Sequence, residues 1–178
     1  MKGSRVARRY ARALIELATD PRQLEAWAAE LDRLAAAASA PELAEHLAAP
    51  DLSREIRAEA MGKIAERLGL TFPLRSFAVV VAQHGRIAHL RAMAEAYQAL
   101  VDEALGRARA ALSFARQPSD AEVDGVADAL SKIVRKKIIP TVKVDETLLG
   151  GVVAELEGRI YDGSLATRLS QAQQKLSA

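Results

Sequence analysis

At Gly106 the spacing of apolar residues changes from a helical period to a strand period, and this change constrains the fold more than any other feature of the chain. Before it, apolar residues recur three and four apart. Leu24, Trp27, Ala28, Leu31, Leu34 and Ala35 mark one such segment, and Ile87, Leu90, Ala94, Tyr97, Val101 and Ala104 mark another. After it, Ala108, Ala110, Leu112 and Phe114 alternate with Arg107, Arg109, Ala111 and Ser113, the pattern of a strand with one wet face. A chain that shows only helical periods up to one point, and mixes strands with helices beyond it, divides there. Residues 1–106 are expected to form a six-helix bundle and residues 107–178 a small α+β domain, with no flexible linker between them. The fold class is mainly α.

Punctuation supports the helical count. Arg5–Ala18 is the opening helix, and Asp20-Pro21-Arg22-Gln23 starts a second with an acceptor cap, proline at the first helical position and glutamine behind it. Ser39-Ala40-Pro41-Glu42 restarts a short helix to about Leu47, which Ala49-Pro50 stops. Ser53 caps a fourth with Ile56, Ala60, Met61, Ile64 and Leu68 apolar, ending at Gly69. Pro73–Gln83 ends at Gly85, where His84 is placed to satisfy a terminal carbonyl, and Arg86–Leu105 is the sixth.

In the second part, Ser119 and Glu122 make a capping box ahead of a stripe of Val123, Val126, Ala127, Leu130, Ile133 and Val134. Ile138–Val144 is a strand, placed near an edge by Pro140. Val152, Ala154, Leu156 and Ile160 alternate with Glu155, Glu157 and Arg159, as one strand or as a hairpin. Gly150-Gly151 frees the backbone before this element. Asp162-Gly163-Ser164 turns it into a helix with Leu165, Leu169, Ala172 and Leu176 at helical spacing, ending near Ser177.

Composition narrows the function classes. The chain has 178 residues, half of them hydrophobic and 27% charged, with a net charge of +2, which describes a soluble globular protein. It has no cysteine, so disulfide and thiolate chemistry are absent. No apolar run approaches the ~20 residues that span a bilayer, and no signal peptide is evident. The opening helix starts within a few residues of Met1, leaving no room for a long transit peptide, so a bacterial cytoplasmic chain is expected.

Catalytic constellations are missing. His46, His84 and His89 do not share a helical face with a carboxylate, and Gly150-Gly151 lacks the following G-K-[ST] of a phosphate loop. Asp145, Glu146, Glu155, Glu157 and Asp162 form a loose acidic group at alternating, solvent-facing positions. No enzyme activity, cofactor or metal is expected. Two basic groups, Arg5 to Arg12 and Lys132 to Lys137, fall in different parts and lack interleaved aromatics, which argues against a nucleic-acid module.

Two helices are apolar over more of their circumference than one core contact uses. On Arg5–Ala18, Val6, Tyr10, Ala13, Leu14 and Leu17 form one stripe and Ala7, Ala11, Ile15 and Ala18 a second; Pro73–Gln83 has Val79 and Ala82 left over from its core stripe. Either both helices are sandwiched within their own bundle, or the surplus receives a partner helix.

V-D-E-T-L-L-G-G at Val144–Gly151 and D-G-S-L-A-T-R-L at Asp162–Leu169, with R-R-Y-A-R-A-L-I-E-L-A, H-G-R-I and Q-P-S-D earlier in the chain, resemble the δ subunit of F-type ATP synthases, the family of the mitochondrial oligomycin-sensitivity conferral protein. One departure is Glu146, where many members carry proline. The resemblance implies a non-catalytic stator subunit, one copy per complex, linking catalytic head to peripheral stalk so that proton flow and torque are coupled to ATP synthesis. Its helical part would bind N-terminal segments of α subunits, and its C-terminal part the C-terminal helices of the b subunits. It would sit peripherally, without membrane insertion, at the cytoplasmic face of the bacterial inner membrane. The same resemblance favours a partner groove lined by Ala7, Ala11, Ile15, Ala18, Val79 and Ala82. The alternatives from other classes are a helical adaptor of another complex and a weak nucleic-acid binder.

Overall fold

A computed structural model of the chain describes residues 5–49, 52–167 and 169, the side chain of Ala48 excepted. The fold is mainly helical with one small four-stranded mixed sheet, and it separates into two compact units, Met1–Val101 and Asp102–Ala178.

The first unit contains α1 (Arg5–Leu17), α2 (Pro21–Ala38), α3 (Pro41–Ala48), α4 (Arg54–Arg67), α5 (Leu74–Gln83), a 3₁₀ turn at Ile87–His89 and most of α6 (Leu90–Ala104). Their boundaries have local causes. The Asp20 carboxylate accepts from the amides of Arg22 and Gln23 at 2.6 and 3.1 Å, with Pro21 at the first helical position. Gln23 reaches back one residue further than a capping box requires, accepting from the amide and hydroxyl of Thr19. α4 and α5 end on left-handed Gly69 and Gly85, after which Leu70 donates to Ala65 and Arg86 to Val81, each at 2.9 Å. The terminal carbonyls expected to need His84 are thus satisfied by backbone amides. Pro50, expected to stop α3, lies outside the described residues.

The core of this unit is built from Ala7, Ala11 and Leu14 of α1, Leu31, Leu34 and Ala35 of α2, Met61 and Ala65 of α4, Leu74, Ala78 and Val81 of α5, and Met93, Tyr97 and Val101 of α6. Small residues supply much of it. On α4 the inward positions are Ala58, Met61 and Ala65, while Ile56, expected inside, is 52% exposed. Alanine at a helix contact lets two backbones approach closely, and a branched side chain there would hold them apart. One buried carboxylate fixes a loop: Glu30 of α2 accepts from the Thr71 amide at 2.9 Å and its hydroxyl at 3.1 Å, just ahead of α5.

The second unit contains β1 (Arg107–Phe114), α7 (Asp120–Val134), β2 (Lys137–Val144), β3 (Val152–Leu156) and β4 (Arg159–Asp162), in sheet order β2-β1-β3-β4. β1 and β2 are parallel, with α7 as the crossover between them; β1–β3 and β3–β4 are antiparallel. β2 is an edge strand, where the missing N–H of Pro140 is tolerated. The alternation read in β1 is realised, with Ala108, Ala110, Leu112 and Phe114 buried against Leu130, Ile138, Ala154 and Leu156.

Two sequence expectations change here, those for Ile160 and Ile133, and one alternative left open is decided. Val152 to Tyr161 is a hairpin whose two-residue loop, Glu157 and Gly158, has φ of 50° and 78°. That loop resets the phase: Ile160 pairs with Glu155 on the wet face and is 71% exposed, while Tyr161 pairs with Ala154 on the dry one. Ile133, counted in the α7 stripe, is 61% exposed because it sits at the margin of the face that meets the sheet. The units part at Val101/Asp102, near Gly106, and within the second unit Asp102 accepts from Arg109 Nε at 2.7 Å, tying the end of α6 to β1. Residues 165–167 and 169 are helical, as expected; Ala172, Leu176 and the end near Ser177 lie outside the described residues.

Candidate partner-binding surfaces

An apolar sector wider than one contact forces a helix to choose which flank goes inside. α1 buries Ala7 and Ala11 of its small-residue stripe, both 0% exposed, together with Leu14 of the other stripe at 2%. Ile15 and Ala18 are half-buried. The stripe expected inside lies largely on the outer flank, with Val6 and Tyr10 half-buried, Ala13 exposed and Leu17 57% exposed. On α5 the expected core stripe of Leu74, Phe77, Ala78 and Val81 is buried. Ala82 is fully buried and Val79 turns towards α4, its Cγ2 3.4 Å from where a Cβ on Gly62 would sit, while Val80 is 41% exposed. Of the six expected groove residues, Ala7, Ala11 and Ala82 are core, and Val79 is on the α4 side of α5. The six are not brought onto one surface. The small side chains that a partner backbone could approach are already used for the close approach of the bundle's own helices.

What the two helices leave outside is a different lining. The Tyr10 ring meets Phe77 edge-on, with centroids 5.9 Å apart and planes at 80°. This contact sets the outer flank of α1 beside the Phe77–Val80 flank of α5. Val6, Tyr10, Ala13 and Leu17 therefore border an apolar seam with Val80, over the buried Phe77. One sequence signal pointed to it: Tyr10 and Phe77 are the only aromatic residues of their helices.

Beside the seam runs the polar face of α1. Arg5, Arg8, Arg9, Arg12, Ala13 and Glu16 surround an open depression of about 520 Å³. Arg9 lies 5.7 Å from the Tyr10 ring centroid, a cation–π contact. No acidic group forms an ion pair with these four arginines among the described residues. Arg5 and Arg8 occupy the first turn, the positive end of the helix dipole, and α1 has no acid there. Arg5–Arg9 and Arg8–Arg12 are like-charge neighbours four apart, each destabilising by roughly 0.2–0.5 kcal/mol.

The groove between α4 and α5 differs. It encloses about 760 Å³ over a floor of Ala58, Gly62 and Val79. Its charges are paired internally, Lys63 with Glu59 at 2.6 Å and Arg75 with Glu66 at 3.0 Å. Its charges are of both signs, unlike the row of arginines on α1.

In the second unit the two halves of the C-terminal signature clasp each other. Leu165 N donates to Gly150 O, and Gly163 N to Val152 O, both at 2.9 Å. A Cβ on Gly151 would stand 2.5 Å from Gly163 O and 2.9 Å from Ser164 Cα, so only glycine allows this approach. Asp162 accepts from the Ser164 amide and the Thr167 hydroxyl, each at 2.8 Å; the bonds from Ser164 lead in holding its carboxyl below the usual range. Asp145 is likewise held low by Thr147, whose hydroxyl and amide both donate to it. These carboxylates organise turns. Lys136 pairs with Glu157, which takes it out of the basic group at the end of α7. Among the described residues no three His, Asp or Glu side chains are grouped to hold a metal ion, and no helix is long and apolar enough to cross a membrane. Leu149, Leu165 and Leu169 are 81%, 47% and 62% exposed around the clasp.

Comparison with known proteins matches the described geometry to one family. The profile of the ATP synthase delta (OSCP) subunit aligns with residues 6–176. An ATP synthase subunit delta of Anaeromyxobacter sp. (strain Fw109-5) is 35% identical over 172 residues, covering 96% of each chain. That of Desulfosudis oleivorans is 32% identical over 177 residues, covering 99% of this chain and 97% of the relative. Among solved structures, a chain of the Toxoplasma gondii mitochondrial ATP synthase hexamer superposes with a TM-score of 0.67 over 98% of this chain and 99% of its own, at 18% identity, a likeness of fold.

Proposed function

The chain belongs to the ATP synthase delta (OSCP) subunit family, and from that premise we propose that it is the non-catalytic stator connector between the catalytic head and the peripheral stalk. Residues 1–106 act as the helical bundle that holds N-terminal segments of α subunits, and residues 107–178 hold the C-terminal helices of the b subunits. One copy serves each complex, bound peripherally at the cytoplasmic face of the bacterial inner membrane. Its work is mechanical: a head not held against rotor torque would turn with the rotor. Two linked contact surfaces give a slower release than either alone.

The observation that carries this reading is the apolar seam of Val6, Tyr10, Ala13 and Leu17 with Val80, over the buried Phe77. An amphipathic helix laid along such a seam buries apolar area over its whole length, at about 25 cal/mol per Å². The seam replaces the groove of Ala7, Ala11, Ile15, Ala18, Val79 and Ala82 while keeping the same two helices. In the second unit, the exposed Leu149, Leu165 and Leu169 around the clasp suit the stalk helices.

The test is a pair of substitutions in the full chain. Val80→Asp puts a carboxylate into the seam, where it loses solvation on docking and gains no partner. It is expected to weaken binding of an α-subunit N-terminal peptide at least ~30-fold with an unchanged thermal transition. Ala11→Asp places the charge in closed core and should unfold the bundle. In the assembled complex, omission of this chain should leave hydrolysis by the head intact and abolish coupling to proton flow. Undiminished peptide binding by Val80→Asp would remove the seam from the reading.

A further inference from the structure

The α1–α5 seam is unequal at its two edges. On the α1 side it is bounded, through exposed Ala13, by the arginine face: Arg9 stands next to the seam, with Arg5 and Arg12 behind it and Arg8 furthest round the helix. On the α5 side the exposed residues beyond Val80 are Ser76 and Gln83, both uncharged. The arginines crowd one another at spacings of three and four, and two of them oppose the helix dipole. Among the described residues only Glu16 offsets them on that face. Elsewhere in the same unit some surface charge is answered by its own neighbours: Lys63 by Glu59, Arg75 by Glu66, Arg91 by Asp32 and Glu95. α1 alone holds an uncompensated row, about two helical turns long, directly beside an apolar docking surface.

We infer that the helix received in this seam carries an acidic edge, and that this edge lies against α1, with carboxylates spaced three or four apart pairing with Arg5, Arg9 and Arg12. The inference rests on the seam reading and adds the chemistry and orientation of its occupant. Apolar burial alone leaves an amphipathic helix free to lie in either direction and to roll in the groove. One charged wall and one neutral wall remove that freedom, because only one roll angle puts the acids on the arginines. Opposite charge at the rim also steers the encounter and raises the on-rate at low salt. The arginine row thus lowers the stability of the free helix and favours the bound state, in which the repulsion is relieved.

The experiment titrates the full chain with a synthetic peptide of the N-terminal segment of the α subunit from the same organism, at low and high salt, and follows each variant by thermal melting. Arg5→Gln/Arg9→Gln/Arg12→Gln should bind roughly tenfold more weakly at low salt and lose most of the salt dependence, while melting at a higher temperature than the unaltered chain. Arg9→Gln should lose more affinity than Arg8→Gln, although both remove one charge. A peptide with its Asp and Glu amidated should reproduce the weakening with the unaltered chain. If Val80→Asp abolishes binding but the arginine variants and the amidated peptide bind as before, the acidic edge is overturned and the seam stands. If Val80→Asp binds normally, or the peptide does not bind the unaltered chain, the seam reading fails and takes this inference with it.

Discussion

The two units hold themselves together by different means. In the first, helices meet over alanine, with Ala7, Ala11, Ala35, Ala65, Ala78 and Ala82 all fully buried and larger side chains filling the space between contacts. Stability there is spread over many small contributions. In the second, eight buried residues carry the core among the described residues, and the chain closes through a point contact between Gly150-Gly151 and Gly163-Ser164. Packing spread over a surface degrades gradually, whereas a backbone clasp fails at one atom. The difference suits two kinds of work: a bundle can offer a long seam to a partner, while a clasped sheet keeps Leu149, Leu165 and Leu169 in place around one turn.

The sharpest way to break this comparison is Gly151→Val. The added Cβ meets backbone at 2.5 and 2.9 Å, at a φ of +86° that a branched residue strongly disfavours. A loss of about 4 kcal/mol or more is expected, enough to unfold the second unit. Scanning calorimetry should show its transition disappear while the helical unit melts as before; a shared collapse of both would mean that the two units do not stabilise themselves independently.

Leu31→Ala asks the converse question of the bundle. Leu31 is fully buried on α2, and its truncation should cost about 3 kcal/mol. The transition of the first unit should fall and that of the second stay put. If the cost were below about 1 kcal/mol, the bundle would be repacking around the lost volume, and its spread of small contacts would be looser than the burial implies.

Acid pH gives the smallest effect and the finest contrast. In the second unit Glu122, Asp145 and Asp162 are held below the usual carboxylate range, first by the amide and hydroxyl of Ser119, the side chain and amide of Thr147 and the amide and hydroxyl of Ser164 respectively. A carboxylate lowered in the folded state stabilises above its unfolded pKa, and that contribution is lost as pH falls through the folded value. The window therefore opens near pH 4 and extends downward. In the first unit the lowered carboxylates are Glu55 and Glu59, both on α4. The melting temperature of the second unit should consequently fall more steeply below about pH 4, and Asp162→Asn should flatten that slope. Equal slopes would show that the turn carboxylates add no more than the helix-surface ones.

Elements and their limits were legible along the chain because their causes are local. Asp20 caps α2, Ser119 and Glu122 close a reciprocal box at α7, Gly69 and Gly85 stop α4 and α5, and the strict alternation of β1 comes from residues two apart. The signature residues at Gly150-Gly151 and Asp162-Gly163-Ser164 were also visible, although their contact across the hairpin was not. Which flank of α1 goes inside was a different kind of question. Both flanks of a sector about 200° wide are apolar, so periodicity returned two equal answers, and the larger side chains were assigned inward.

Tertiary packing decided otherwise, since interhelix distance sets residue size at a contact, and neither helix encodes that distance by itself. Alanine went in where the helices meet, and Leu17 stayed out. The hairpin phase followed the same logic, with Ile160 on the wet face because a two-residue loop, and not the run of alternating residues, sets which residues pair. Local chemistry determined the parts of this protein and the places where they end. Only the approach of one part to another determined which surface was left for a partner.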